Sequence, residues 1–403
     1  MITGNENLQQ IIEIDKNFIS FFEKHGLGNY FKPENLAKIG KYTRLNSLLI
    51  SKKIEPGSFI ATMNSLLDDD IQNKKVNGAF HQEQLHFSAM LPCGLRNPFK
   101  EYFEAVVNGN IEPFADLNFL IEGNVNHELS YYPLLDSIDD INELPDIIVA
   151  SDVNNFFHRP FISRFIEKGV FSTYAPYKPN NYLEKDGFAD PNGNFTMFTS
   201  NLLVMAVDKQ RLGNRKMPKI WNDLLDSNFR NDIVMRGEDD FFCNAVMLPF
   251  YKDGGKAAIE ILAQNIKGGL HPAEMVKLAG TQKTGAATVY IMPYFFAKRI
   301  QNKQVEIVWP EDGAIVSPVF LLAKKEKIEK HQFLLDFLLS KETGELFTGR
   351  CFPSIHPEVS NEAFPDPVKW LGWDFLNTHD IGALKDDIRD TFMKVWNAKN
   401  EQV

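Results

Sequence analysis

The residues with chemistry to offer are two cysteines, one tyrosine and a scatter of charged groups on predicted loops. Cys93 follows the apolar run of residues 86–91, and Cys243 lies near the start of a helix expected over 240–248. Helix starts stabilise negative charge, and a thiolate there ligates soft metals; two independent buried cysteines are the plainer reading of the same pair. Cys351 reads as structural. Arg96 sits where its planar fork could clamp an anion at the first helix, or remain a solvated first-turn charge. His271, ahead of Pro272-Ala273-Glu274, reads as a helix-start residue on a cleft rim, whereas His158 and His356 read as structural or exposed. Asp239 and Asp240 suit an N-cap and a first-turn acid, and Phe241-Phe242 and Phe295-Phe296 read as core.

Catalytic signatures are absent: the sequence has no G-x-S-x-G elbow, P-loop, H-E-x-x-H or paired C-x-x-C. The chain therefore reads as a non-enzyme. The rival enzymatic reading makes Cys93 or Cys243 a nucleophile beside a base, and requires a histidine or carboxylate within hydrogen-bond reach.

Bulk properties bound the class. The chain has 403 residues, 44% of them hydrophobic and 24% charged, with net charge -10. That length exceeds one ordinary core. The negative balance argues against nucleic-acid binding, which needs a basic face. No run reaches the roughly 18 apolar residues of a membrane span. Residues 1–7 carry neither a basic n-region nor a following apolar stretch, so the sequence as it stands reads as cytoplasmic, or periplasmic or extracellular if a leader has been trimmed. Three widely spaced cysteines suggest no disulfide framework.

The elements that must position these residues fall into three regions. Residues 1–75 read as a small helical unit, with helices over 8–22, 33–49 and 56–67 and a stop at His25-Gly26-Leu27-Gly28. A polar stretch places a linker at 76–84. From Leu85 onward strands and helices alternate, the pattern of an α/β fold with a largely parallel sheet. Strands are expected at 86–91, 114–121 and 146–151, with helices at 97–107 and 160–169. A strand over 198–207 would cross to a second lobe and 306–310 would cross back.

The ordered segments Leu202–Asp208, Pro218–Asp226 and Phe229–Val234 resemble the type II periplasmic (solute) binding proteins, especially the ferric-ion group of ATP-binding-cassette (ABC) transporters. The resemblance covers about residues 85–375. It implies a two-lobed fold, lobe one at 85–200 and 311–403 and lobe two at 201–310, closing on a small ligand that is a metal, a metal chelate or a small anion. An ABC-transporter permease would be the partner. It further implies ligand contacts from loops at the carboxyl ends of strands: Cys93, Gly94 and Arg96; Asp152 and Asn154; Asp239, Asp240 and Cys243; Tyr294; and Glu311 and Asp312. Metal contact would fall to Tyr294, Cys93 and Cys243, with Cys93 and Cys243 facing each other across the closed cleft. Ferric relatives carry paired tyrosines where this sequence has Tyr294-Phe295. The N-terminal unit resembles a small helical domain of unknown function found beside redox and metal proteins, with Asn29 and Tyr30 where relatives carry cysteines. It implies a docking role, and a protein-interaction module is the third reading of the whole chain.

Overall fold

The structure, a computed structural model, describes residues 2–16, 18–70, 85–109, 112–114, 116–123, 132–238 and 241–400. The linker expected at 76–84 lies outside them, as do Asp239 and Asp240. The N-terminal unit is helical, with helices Leu8–Ile14, Phe18–Lys24, Leu45–Ser51 and Pro56–Asp70. The single helix expected over 8–22 is two. Its start is fixed by a capping box, in which Asn7 and Gln10 exchange side chain-to-backbone hydrogen bonds of 2.9 Å. Gly26, at φ 74°, ends the second helix in the left-handed conformation that suits glycine. Phe22 stacks on Phe31 at 3.8 Å in a core that Leu134, from the neighbouring lobe, helps to complete. Polar ties fasten the unit there: Ser47 Oγ donates to Glu143 at 2.6 Å, and Arg44 lies 3.1 Å from Asp140.

Among the described residues thirteen strands follow: β1 Phe87–Leu91, β2 Phe119–Gly123, β3 Ile147–Ser151, β4 Phe171–Ser172, β5 Thr196–Asp208, β6 Ile233–Met235, β7 Gly237–Glu238, β8 Phe241–Phe242, β9 Ile266–Gly269, β10 Val289–Pro293, β11 Val305–Val308, β12 Ala314–Lys324 and β13 Val368–Lys369. Eleven of them join one sheet with the path β2-β1-β3-β12-β5-β10-β6-β9. β1 and β3 are buried along their whole length, as strands covered on both faces must be. One strand order occurs twice. In lobe one β1 runs parallel between β2 and β3, followed by antiparallel β12 and β5. In lobe two β6 runs parallel between β9 and β10, followed by antiparallel β5 and β11.

The two lobes share β5. Its first half pairs with β12 and its second with β10 and β11; Leu203 stands opposite both Ile315 and Pro293. The segment 306–310, expected to cross back, instead keeps β11 in lobe two against β5, and β12 is the returning strand. A third crossing was not expected. The helix Ile381–Asn400, assigned from sequence to lobe one, packs on the lobe-two helix Asn244–Asn265. Phe392 and Trp396 lie 4.6 and 5.1 Å from Phe242, and Lys256 pairs with Asp387 at 2.7 Å. Its apolar face, Ile381, Leu384, Ile388, Phe392 and Trp396, keeps helical spacing.

Candidate ligand-binding cleft

The carboxyl ends of β1, β3, β6 and β10 converge on one cavity of about 60 Å³ between the lobes. Lobe one contributes Pro92, Cys93, Ser151 and Asp152. Lobe two contributes Arg236, Cys243, His271, Phe295 and Phe296, and the crossing strands supply a floor of Asn201, Leu203 and Ser317. A single water needs about 10–15 Å³ by a comparable measure, so this space has room for a small group. Converging strand ends explain the placement: chain reversals there turn polar residues and helix starts toward one crevice.

The polar groups favour hydrogen bonding to an anion. His271 Nδ1 accepts from the Ala273 backbone N–H at 3.2 Å, which leaves the proton on Nε2. Burial, and then the neighbouring Arg236 guanidinium, hold this imidazole below its ordinary pKa, so it is a neutral donor. The Oδ1 atom of Asn201 is buried and has no hydrogen-bond partner among the described residues. Asp152 adopts φ 70°; its N–H donates to Pro318 O at 2.7 Å, and its Oδ1 accepts from Val153 N at 2.8 Å. That carboxylate is thereby fixed at the mouth of the cleft. Among the described residues no group of three His, Cys, Asp or Glu side chains could hold a metal ion.

The expected site residues divide. Cys93, Asp152, Cys243 and His271 line the cavity together, with Cys93 exposed and Cys243 buried. Asn154 lies next to it but works as a cap, accepting from Phe156 N at 2.9 Å and donating to Ser151 O at 3.0 Å. Arg96 is taken up by Glu122 at 3.1 Å and is not in the cleft. Gly94 is absent from the lining; a Cβ there would lie 2.9 Å from the Phe295 ring and 3.0 Å from that of Phe352, so its role is to let the lobes approach. Glu311 pairs with Lys219 at 2.9 Å, and Asp312 accepts from Trp221 N at 3.1 Å and pairs with Lys369 at 3.1 Å. Both fasten the strap before β12 rather than face a ligand. Asp239 and Asp240 lie outside the described residues.

Tyr294 is a correction. It begins the short helix Tyr294–Ala297, and its ring packs edge-on against Trp309 at 5.3 Å, with Phe364 beyond. Successive helical residues are rotated about 100°, so Phe295 and Phe296, expected in the core, take the cleft positions instead. Tyr290 is also committed elsewhere, its hydroxyl accepting from Ala287 N at 2.9 Å. Tyr294→Phe is therefore expected to leave ligand affinity, read by calorimetry, within about twofold. Asn201, Ser317 and Arg236 were not singled out individually from the sequence; Asn201 and Ser317 stand mid-strand, opposite each other in the β5–β12 register, where only the crossing itself marks them.

Comparison with known proteins agrees with the two-lobed fold. Residues 142–379 match the family model of bacterial extracellular solute-binding proteins. The chain belongs to that family. A comparison with curated protein sequences finds no match. Among solved structures, apo FutA2 from Synechocystis is similar at TM-score 0.55 and 17% identity, over 77% of this chain and 98% of that one. The ferric binding protein from Campylobacter jejuni gives 0.52 and 14%, over 78% and 99%. The periplasmic binding protein AfuA from Actinobacillus pleuropneumoniae, with exogenous fructose-6-phosphate bound, gives 0.54 and 18%, over 78% and 98%. At these identities the likeness concerns the fold.

Proposed function

We propose that this solute-binding protein closes its interlobe cleft on a small anionic solute, free or as a metal chelate, and presents it to the permease of an ABC transporter. The observation that supports an anion over a bare ferric ion is Arg236 beside a neutral, donating His271, in a cavity with no tyrosine among its described lining residues. Hard ferric iron is served by phenolates and carboxylates, and Asp152 is the one carboxylate among the described lining residues. Closure would proceed by bending of β5 and β12 around Leu203 and Ile315. The helical unit at residues 2–70, fastened through Arg44 and Ser47, is assigned a docking role in the same scheme.

Thermal-shift and calorimetric titration with inorganic phosphate, sugar phosphates, citrate, ferric citrate and ferric ion alone tests the reading. Anions or the chelate should stabilise the protein, and Arg236→Gln should weaken their binding about 10- to 100-fold, the worth of a charge-assisted hydrogen bond. Stabilisation by ferric ion alone, with no response to any anion, would overturn it.

A further inference from the structure

The lobe-one segment 132–143 faces two ways. Leu134 completes the core of the N-terminal unit, whereas Tyr132, Leu135 and Ile138 belong to the main core. At three-residue spacing after Leu134 stand Ser137, Asp140 and Glu143, and all three are tied to the helix Leu45–Ser51 or to Arg44 just before it. Ser137 Oγ donates to Ser47 O at 2.9 Å, and Arg44 lies 3.1 Å from Asp140 and 3.6 Å from Glu143. The other face of the segment, at Pro133 and Asp136, borders an interlobe space of about 600 Å³ that the C-terminal helix also walls.

Across that space runs a chain of contacts between the lobes. Asp136 Oδ2 accepts from Asn155 Nδ2 at 2.7 Å and lies 3.1 Å from His158 Nδ1; Lys385 Nζ lies 3.2 Å from His158 Nε2 and 3.3 Å from Val153 O. An ammonium only donates, so Nε2 accepts from Lys385 and the ring proton sits on Nδ1, toward Asp136. Asp136 Oδ1 is buried without a hydrogen-bond partner among the described residues, so the carboxylate's place depends on the segment that carries it. The fit at the helix is close: a Cβ on Gly382 would lie 3.1 Å from His158 Nδ1. Gly382 and Lys385 begin the C-terminal helix, whose later turns pack on lobe two through Phe392 and Trp396. When the lobes part, the helix follows the lobe-two core and Lys385 leaves His158.

We propose that the N-terminal unit controls the opening of the lobes: docked through Arg44 and Ser47, it fixes segment 132–143 so that Asp136 holds His158 where Lys385 can bind. Loosening the unit frees Asp136, weakens the Lys385 contact and shifts the lobes toward the open form. Distant sites are coupled only through an element with two arrangements that both sites bias. Here that element is the C-terminal helix, seated on His158 or withdrawn from it. The coupling rests on the hinge closure proposed above, and it holds whichever solute the cleft takes.

Cys243 is a native reporter of opening, since it is buried between the lobes beside Ser151 and Asp152. Its alkylation by iodoacetamide in the full, ligand-free chain is followed by peptide mass spectrometry, which separates it from Cys93 and Cys351. Hydrogen exchange of β12, buried along its whole length, reads global unfolding in the same samples. Arg44→Met should speed Cys243 labelling about fivefold or more, within the range of such couplings, while β12 exchange changes less than about twofold. Ser47→Ala, a milder change, should act in the same direction. In a Lys385→Met background, where the contact is already lost, Arg44→Met should add less than about twofold. No faster labelling in either N-terminal variant, a rise matched by β12, or a rise undiminished by Lys385→Met would overturn the coupling alone. A wild-type Cys243 that opens only as often as β12 would overturn the hinge closure with it.

Discussion

Replacing Asp146 with asparagine should destabilise the protein by about 3–5 kcal/mol, the cost of leaving a buried charge without its partner. Asp146, just ahead of β3, is fully buried, and its partners include Lys324 Nζ at 3.4 Å and His331 Nε2 at 2.9 Å. Lys324 closes β12 and also donates to Leu144 O at 2.7 Å. The cluster therefore ties β3, the end of β12 and the start of the helix Gln332–Leu338, at the opposite end of β3 from the cleft. Burial alone would raise the Asp146 carboxyl, but the His331 hydrogen bond and the Lys324 charge outweigh it and hold it below the ordinary 3.8. A carboxyl depressed in the folded state contributes stability above its unfolded value and loses it as pH falls through its folded one. Urea denaturation of wild type and Asp146→Asn should thus differ most near neutrality and converge below about pH 4. The double variant Asp146→Asn/Lys324→Met should recover more than half the loss. A single variant as stable as wild type at pH 7 would show that the pair contributes nothing net.

Gly94→Val should hold the cleft open. The glycine is the second residue of the helix Cys93–Gly109, and its missing side chain leaves room for Phe295 of lobe two and Phe352 of lobe one; a Cβ would meet them at 2.9 and 3.0 Å. Ring carbons at that distance must move apart, and overpacking of this kind costs about 1–3 kcal/mol. Phe295 can escape by lobe opening, whereas Phe352, which stacks on Phe295 at 5.2 Å, cannot leave its own lobe. Ligand affinity should fall about 5- to 100-fold, and small-angle scattering with ligand should keep the larger dimensions of an open form. A variant that closes normally on ligand would place the Gly94 contact outside the closing motion.

The sequence makes the sheet legible where burial is continuous and obscure where it is not. Ile147–Ser151 is an unbroken apolar run, and β3 falls where the pattern places it; β5 likewise extends the expected 198–207 by a residue or two at each end. The strand expected over 114–121 fails because Phe114 belongs to a short helical turn, Glu112–Phe114, and β2 begins only at Phe119. The helix expected from 240 begins at Asn244 because Phe241 and Phe242 pair with Gly237 and Glu238 as β8 against β7. Both errors come from aromatic residues, which fit turns, strands and helices alike until their packing partners are known.

The cleft shows the same division. The carboxyl-end rule reaches Cys93, Asp152 and Cys243 because chain reversal is written in the sequence as a polar or glycine-bearing break after an apolar run. It cannot distinguish Tyr294 from Phe295, since one helical step decides which ring faces the cleft. Nor does it reach Asn201 and Ser317: on a strand their types signal only a tolerated polar residue. The closing of β12 onto β5 gives them their position.

That same adjacency has an entropic consequence. The chain between β5 and β12 leaves and re-enters through neighbouring antiparallel strands, so lobe two is an insertion whose ends lie side by side, at Leu203 and Ile315. The cost of closing such an insertion rises only logarithmically with its length, by about 0.6 kcal/mol for each doubling. Residues added to or removed from the lobe-two surface therefore bear little on whether lobe one can assemble. What the insertion must preserve is the register in which β12 enters between β3 and β5.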